Sequence, residues 1–397
     1  MFLACLPLYI TLFVVGLTLF HYFEAMIRKW KKPTLYGSGA FKHFLETRSK
    51  LVKEKYCPPL ICLNPGMQFF VRTKYEKAPP VKIIKEKLSL SDGGVVAFDR
   101  ITIDKGCQTY EDYVVLISPG LRESTHSIKS LAMAYSLLLK GFPNIFILNQ
   151  RGSCSIPTMS KKLSLAFGQY NDTKEGIANL ESRFPEKKIL LIGACLGAMF
   201  VIDYLSTEEA NRPSIAGAVL HSCNWELKTD ALNVKSGINY ELFMKGLLKD
   251  TINRISRSST EDERKIKEEW FNEKGIDMEW VRQSKSIWDL EGRFLAPLVD
   301  LSSPEEYYRN VSPIYKCHNV NKPVVVINSR DDFMAPFENF NLPEFTKNPH
   351  LTLWSTAAGG HVSFVDKLFP VTSYLDRAVP ECAQLLRDFL EEEGSTD

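Results

Sequence analysis

The chain has 397 residues, 45% apolar and 24% charged, enough for one large α/β domain with an insertion or for two domains. A net charge of +2 with no long run of one sign gives no basis for nucleic-acid binding, and no nucleic-acid partner is expected. Nine scattered cysteines, without a CxxC pair or Cys/His spacing, argue against a zinc site or a disulfide scaffold, so no metal or cofactor is expected.

The first element is apolar. Phe2 to Phe20 reads "FLACLPLYITLFVVGLTLF", and about 18 such residues suffice to cross a bilayer core. Arg28, Lys29, Lys31 and Lys32 follow, with Trp30 among them as an interfacial residue. The basic n-region and small-residue cleavage site of a secretory signal are missing. Residues 1–32 therefore read as a transmembrane signal-anchor with a basic flank. The expected placement is single-pass, in the endoplasmic reticulum or another endomembrane, with the membrane as a partner and the sidedness open. Residues 33–80 read as a proline-rich connector.

From residue 81 a pattern of strands and helices sets in. "VKIIKEKLSL" and "GGVVAFDRITI" predict two strands joined through Ser91-Asp92-Gly93-Gly94, a hairpin signal. "YVVLISPG" (113–120) and "NIFILNQRG" (144–152) predict buried strands, and between them "SIKSLAMAYSLLLKG" (127–141) has helical spacing and ends on Gly141. "DTKEGIANLESRF" (172–184) predicts a helix with Asp172 as its N-cap. Further strands are predicted before Gly193, over 215–225, over 322–332 and over 350–361. Apolar strands alternating with amphipathic helices imply a mostly parallel sheet covered on both faces, with core stretches 81–225 and 321–397. Residues 226–320 break the rhythm with charged, helix-favouring segments, and read as a helical cap over the carboxyl ends of the strands.

The chemistry centres on "KKILLIGACLGAMFVIDYL" (187–205), a strand, a Gly-Ala-Cys-Leu-Gly turn and a helix. This has the form of a G-x-S-x-G nucleophile turn with a thiol in place of the hydroxyl, which makes Cys195 the candidate nucleophile. A helix N-terminus favours an anion there, and a nearby imidazolium activates a thiol further. The partners follow in the order nucleophile, acid, histidine: Asp331 or Asp332 at a strand end, then His361 after the glycine loop "AAGG". Two backbone N–H groups are expected to form an oxyanion hole, those of Leu196 and of Leu121 in "SPGLREST".

Taken together, "SPGLREST", "NQRG", "GACLGAMF", "NSRDDFMAP" and "GGHVSF" resemble the membrane-anchored α/β-hydrolase-domain proteins. The resemblance is to the branch holding vertebrate medium-chain phospholipases and fungal medium-chain fatty acid ester synthases. It implies an α/β-hydrolase fold and a lipid ester hydrolase, phospholipase or acyltransferase with nucleophile at 195, acid at 331 or 332 and histidine at 361. Cys195 stands where that family has serine; "GACLGA" is also similar to the cysteine turn of dienelactone hydrolases. Three readings stay open. One is an ester hydrolase or acyltransferase working on a lipid ester through a Cys-His-Asp triad and an acyl-enzyme. Another is an attenuated α/β-hydrolase-fold protein that binds a lipid or a protein, and the last a thiol hydrolase of soluble substrates. Arg151 in "NQRG" reads as a loop organiser bonded to backbone carbonyls, with substrate contact as the alternative, and Cys154 and Cys223 as packing residues. Trp270, Trp280, Trp288 and Phe294 read as core residues of the cap, with an acyl channel as the alternative.

Overall fold

The computed structural model describes residues 2–104, 109–121, 123–151, 171–228, 237–258 and 260–394. Its centre is a ten-stranded sheet. The strands in chain order are β1 (Thr34–Tyr36), β2 (Lys82–Ile84), β3 (Lys87–Ser89), β4 (Val95–Thr102), β5 (Tyr113–Ser118) and β6 (Asn144–Leu148). They continue with β7 (Lys188–Ala194), β8 (Ile215–His221), β9 (Val324–Ser329) and β10 (Leu351–Thr356). Their spatial order is β1-β10-β9-β8-β7-β5-β6-β4-β2, with β3 also paired to β4. The run from β10 to β6 is parallel throughout, while β1, β2, β3 and β4 join antiparallel at the two margins. The predicted α/β architecture is thus observed, with a mixed sheet.

Why the inner strands are continuous apolar runs follows from their two faces. In β7, Ile189 and Leu191 enter one core with Leu116, Ala218 and Val324. Leu190 and Ile192, pointing the other way, enter a second core with Val115, Ile117, Val219 and Val325. Burying each such side chain fully is worth about 1.5–3 kcal/mol. The second face is closed by the helix Ile128–Lys140 and by the C-terminal helix Leu375–Gly394, whose Ala378, Val379, Cys382 and Leu386 are buried there. Between β8 and β9 the described residues include the helices Gly237–Ser256, Glu261–Glu273 and Pro304–Val311 and several shorter helical turns. The parallel strands all end along one rim, where Cys195, Asp332 and His361 follow β7, β9 and β10.

At the N-terminus, Phe2–Lys29 is one helix, but no helix among the described residues is long and apolar enough to cross a membrane. The transmembrane signal-anchor and the endomembrane placement are thereby corrected. The apolar run gives way to His21, Glu24, Arg28 and Lys29 within the same helix. Its end docks on protein, where Lys29 Nζ donates to the Leu63 carbonyl at 2.6 Å and pairs with Asp331. Residues 33–80 also carry regular structure: β1 at the sheet edge, the helix Ala40–Arg48, and the helix Pro65–Tyr75 capped by Asn64.

Candidate active site

Cys195 occupies the turn between β7 and the helix Leu196–Leu205, with φ 50° and ψ −115°. Such a conformation costs a non-glycine residue on the order of 1–3 kcal/mol and persists only where its surroundings over-determine it. They do. The Cys195 N–H donates to the His221 carbonyl at 3.0 Å, and its carbonyl accepts from Ala198 and Met199. The turn also needs Gly197, because a β-carbon there would sit 2.0 Å from the Ser118 carbonyl oxygen.

Asp332 follows β9 in a tight turn that fixes its carboxylate. Oδ1 accepts from the N–H groups of Met334 and Ala335 at 2.8 and 2.9 Å. The same carboxylate faces His361 Nδ1, at 3.1 Å from Oδ1 and 3.0 Å from Oδ2. That contact keeps a proton on Nδ1 and leaves Nε2 as the free ring nitrogen. Nε2 is buried and has no hydrogen-bond partner of good geometry. Burial works against an imidazolium here, but the Asp332 carboxylate and the Cys195 sulfur together hold the His361 pKa well above its ordinary range. Cys195 and His361 line the same cleft of about 480 Å³, and Cys195 Sγ also lies 4.0 Å from Asn224 Oδ1. Asn224 is itself tied to the Met334 carbonyl at 2.7 Å.

Of the two candidate acids, then, the structure brings Asp332 to the imidazole. Asp331 turns elsewhere: Oδ1 accepts from the Gly360 N–H at 2.9 Å and Oδ2 pairs with Lys29. Leu196 opens the helix after Cys195, and Leu121 lines the cleft beside Gly120. The two backbones run close together, since a β-carbon on Gly120 would lie 3.3 Å from Cys195 Cβ. Among the described residues no group of three His, Cys, Asp or Glu side chains could hold a metal ion.

Sequence reasoning missed the polar wall of this cleft. Lys129 and Glu123 face each other at 3.6 Å, and the Lys129 ammonium lies 4.3 Å from the centre of the Phe69 ring. Burial draws the Lys129 pKa down despite Glu123. His221, at the end of β8, is driven down to about 3 by burial and by the charges of Arg72, His361 and Lys129, so it is neutral beside the site. Glu123 lies in "SPGLREST" without having been singled out, and Lys129 and His221 stand in no motif. Arg72 alone left a trace, a pairing with Glu76 at i,i+4 spacing.

Arg151 is buried and grips Asp172 through two nitrogens, at 2.9 and 2.6 Å, and Asp92 through a third at 2.7 Å. It organises the loops through carboxylates, and Asp172 is drawn into that pair. Cys223 is fully buried as a packing residue; Cys154 lies outside the described residues. In the helical segment Trp270 and Phe294 are buried around Phe271, and Trp288 stacks on Tyr308. Trp280 is exposed beneath Arg293, and it is Leu247 that reaches the cleft.

A family model described as the alpha/beta hydrolase fold matches residues 113–368. The chain belongs to the α/β hydrolase fold family. Among α/β hydrolases it is 25% identical to human phospholipase ABHD3 over 382 residues, 94% of this chain and 89% of that one. It is 25% identical to the medium-chain fatty acid ethyl ester synthase/esterase 2 of Saccharomyces cerevisiae, over 64% of this chain and 58% of that one. The monoacylglycerol lipase of the same yeast is 24% identical, over 63% of this chain and 54% of its own length. The expected kinship with phospholipases and fungal ester synthases holds, and these α/β hydrolases are named for esterase or lipase activity.

Proposed function

We propose that this α/β hydrolase cleaves, or transfers to an alcohol, the acyl group of a lipid ester, with Cys195 as nucleophile, His361 as base and Asp332 as orienting acid. The observation that carries the reading is the Asp332–His361 contact, which presents a buried, unengaged Nε2 to the cleft that Cys195 lines. The relatives named phospholipase and lipase support the substrate class.

In the first half-reaction His361 Nε2 takes the thiol proton and the sulfur attacks the ester carbonyl. Negative charge develops on the carbonyl oxygen, within reach of the N–H groups assigned to Leu196 and Leu121. The carbon–oxygen bond to the leaving alcohol then breaks, and that alcohol leaves with the proton from His361. Water or a second alcohol next gives a proton to His361 and attacks the thioester, releasing the acid or a new ester and restoring the thiol. The apolar lining from Phe69, Ile128 and Leu247 suits an acyl chain.

The test compares wild type, Cys195→Ala and Cys195→Ser on a panel of lysophospholipids, monoacylglycerols and short p-nitrophenyl esters. Turnover in wild type that is abolished in Cys195→Ala, with a covalent acyl adduct on Cys195 by mass spectrometry, is expected. One observation favours a second reading, a ligand-binding protein without turnover: the sulfur sits near Asn224 Oδ1 while Nε2 has no good hydrogen bond. That reading requires an inert wild type, and gain of turnover in Cys195→Ser would mark an attenuated enzyme.

A further inference from the structure

The loop that carries His361 is held in an unfavourable shape. Gly359 and Gly360 have φ of 158° and 60°, and the non-glycine residues Val362 and Phe364 have φ of 53° and 46°. A β-branched valine in the left-handed region does not stay there by its own preference. Groups outside the loop must hold it. Some lie within the matched domain, where Ser222 Oγ accepts from the Val362 N–H at 2.9 Å and Asp331 from the Gly360 N–H, and a further set comes from the chain before it. Arg72, on the helix Pro65–Tyr75, has a side chain only 1% exposed. Its Nη1 donates to the Val362 carbonyl at 2.8 Å and to the Ser363 carbonyl at 3.2 Å. On the other side of the guanidinium, Nε pairs with Glu76 at 2.9 Å and Nη2 faces Asp376 at 3.5 Å. The same helix adds Gln68, whose Oε1 accepts from the Val365 N–H at 3.1 Å. Pro65, at its start, abuts Gly360, where a β-carbon would lie 3.1 Å from the Pro65 carbonyl oxygen. Tyr56 completes the clamp by donating to the Val365 carbonyl at 3.0 Å.

We infer that Arg72 is a positioning residue for His361: its fork, braced by Glu76 and Asp376, fixes the two carbonyls that follow the histidine and so aims Nε2 at Cys195. This rests on the reading of His361 as the base. It makes the segment before residue 113 part of the working site. A lysine cannot reproduce the arrangement, because its point charge lacks the planar fork that meets the carbonyls and the carboxylates at once. A displacement of about 1 Å at a catalytic group costs on the order of 10²-fold in rate.

The experiment uses the full chain as wild type, Arg72→Met, Arg72→Lys and His361→Gln, each labelled with ¹⁵N-histidine. The Nδ1–H proton signal of His361, sheltered by Asp332, is assigned as the one missing from His361→Gln. In Arg72→Met that signal is expected to broaden or vanish through faster exchange, and kcat on a p-nitrophenyl ester to fall about 30–100-fold with KM changed less than about threefold. Arg72→Lys, which keeps the buried charge, is expected to fall between the two, at about 5–20-fold in kcat. An Nδ1–H signal and kcat unchanged in either folded variant overturn the inference. If Arg72→Met does not fold, Arg72→Lys decides alone. A wild type without turnover would sink the enzymatic reading, whereas the response of the Nδ1–H signal to Arg72 is read without any substrate.

Discussion

Adjacent aspartates with different partners divide two tasks at the scale of single residues. Asp332 meets the imidazole and is pinned by the Met334 and Ala335 N–H groups, so it cannot swing away. Asp331 holds the Gly360 N–H and the end of the first helix. Replacing Asp332 with Asn leaves the volume but offers an amide that favours the wrong imidazole tautomer, so kcat is expected to fall about 10³–10⁴-fold. Asp331→Asn keeps an acceptor for Gly360 and is expected to lose less than about tenfold, with Lys29 left unpaired. Steady-state kinetics of the two variants on one ester decide between them, and the reverse ranking would remove Asp332 from the acid's role. The sequence alone could not choose, because both aspartates end the same apolar strand and differ only in which way the turn throws their side chains.

Among the elements, the strand, turn and helix around Cys195 have the least freedom. Gly197 lies against the Ser118 carbonyl so closely that no side chain fits without parting β5 from the helix. Gly197→Ala is therefore expected to destabilise the fold by about 3 kcal/mol, measured by urea unfolding, and to lower activity in step. An alanine variant of unchanged midpoint would mean that the turn opens easily. What made this element legible was its length and contrast: an apolar run buried on both faces, then two glycines spaced to admit one strained residue. The other inner strands were legible for the same reason. Elements without that contrast were hidden. β1 has three residues, two of them partly exposed, too few to establish a period of two. The helix Pro65–Tyr75 buries Gln68 and Arg72, and its exposed face carries Met67, Phe70 and Tyr75, so its hydrophobic pattern runs against its packing. The first helix misled in the opposite direction, since its apolar opening suggested a span that its charged end, bound to Leu63 and Asp331, does not sustain.

The molecule as a whole joins these parts through buried charge. Arg72 lies between the carboxylates of Glu76 and Asp376, so the helix Pro65–Tyr75, the His361 loop and the C-terminal helix meet at one guanidinium. Such a junction is costly in one protonation state. Burial raises the pKa of Asp376 from 3.8 to about 6, more than Arg72 lowers it, with Glu76 adding repulsion. Between these two values the folded chain holds a proton that the unfolded chain has released, so this group's stabilising contribution is complete below about pH 3.8 and is lost as pH rises through about 6. Asp376→Asn removes that loss while keeping an acceptor for the Ser373 N–H, which now bonds Oδ2 at 2.9 Å. The stability of the variant minus that of wild type, from urea titrations at fixed pH, is expected to rise by up to about 3 kcal/mol from pH 4 to pH 6.5 and then to level off. Because the other carboxylates titrate in both proteins, the difference isolates Asp376. A difference that stays flat would mean that the Arg72 charge already offsets the burial of this carboxylate, and one that falls would make Asp376 a net stabilising anion in the folded chain.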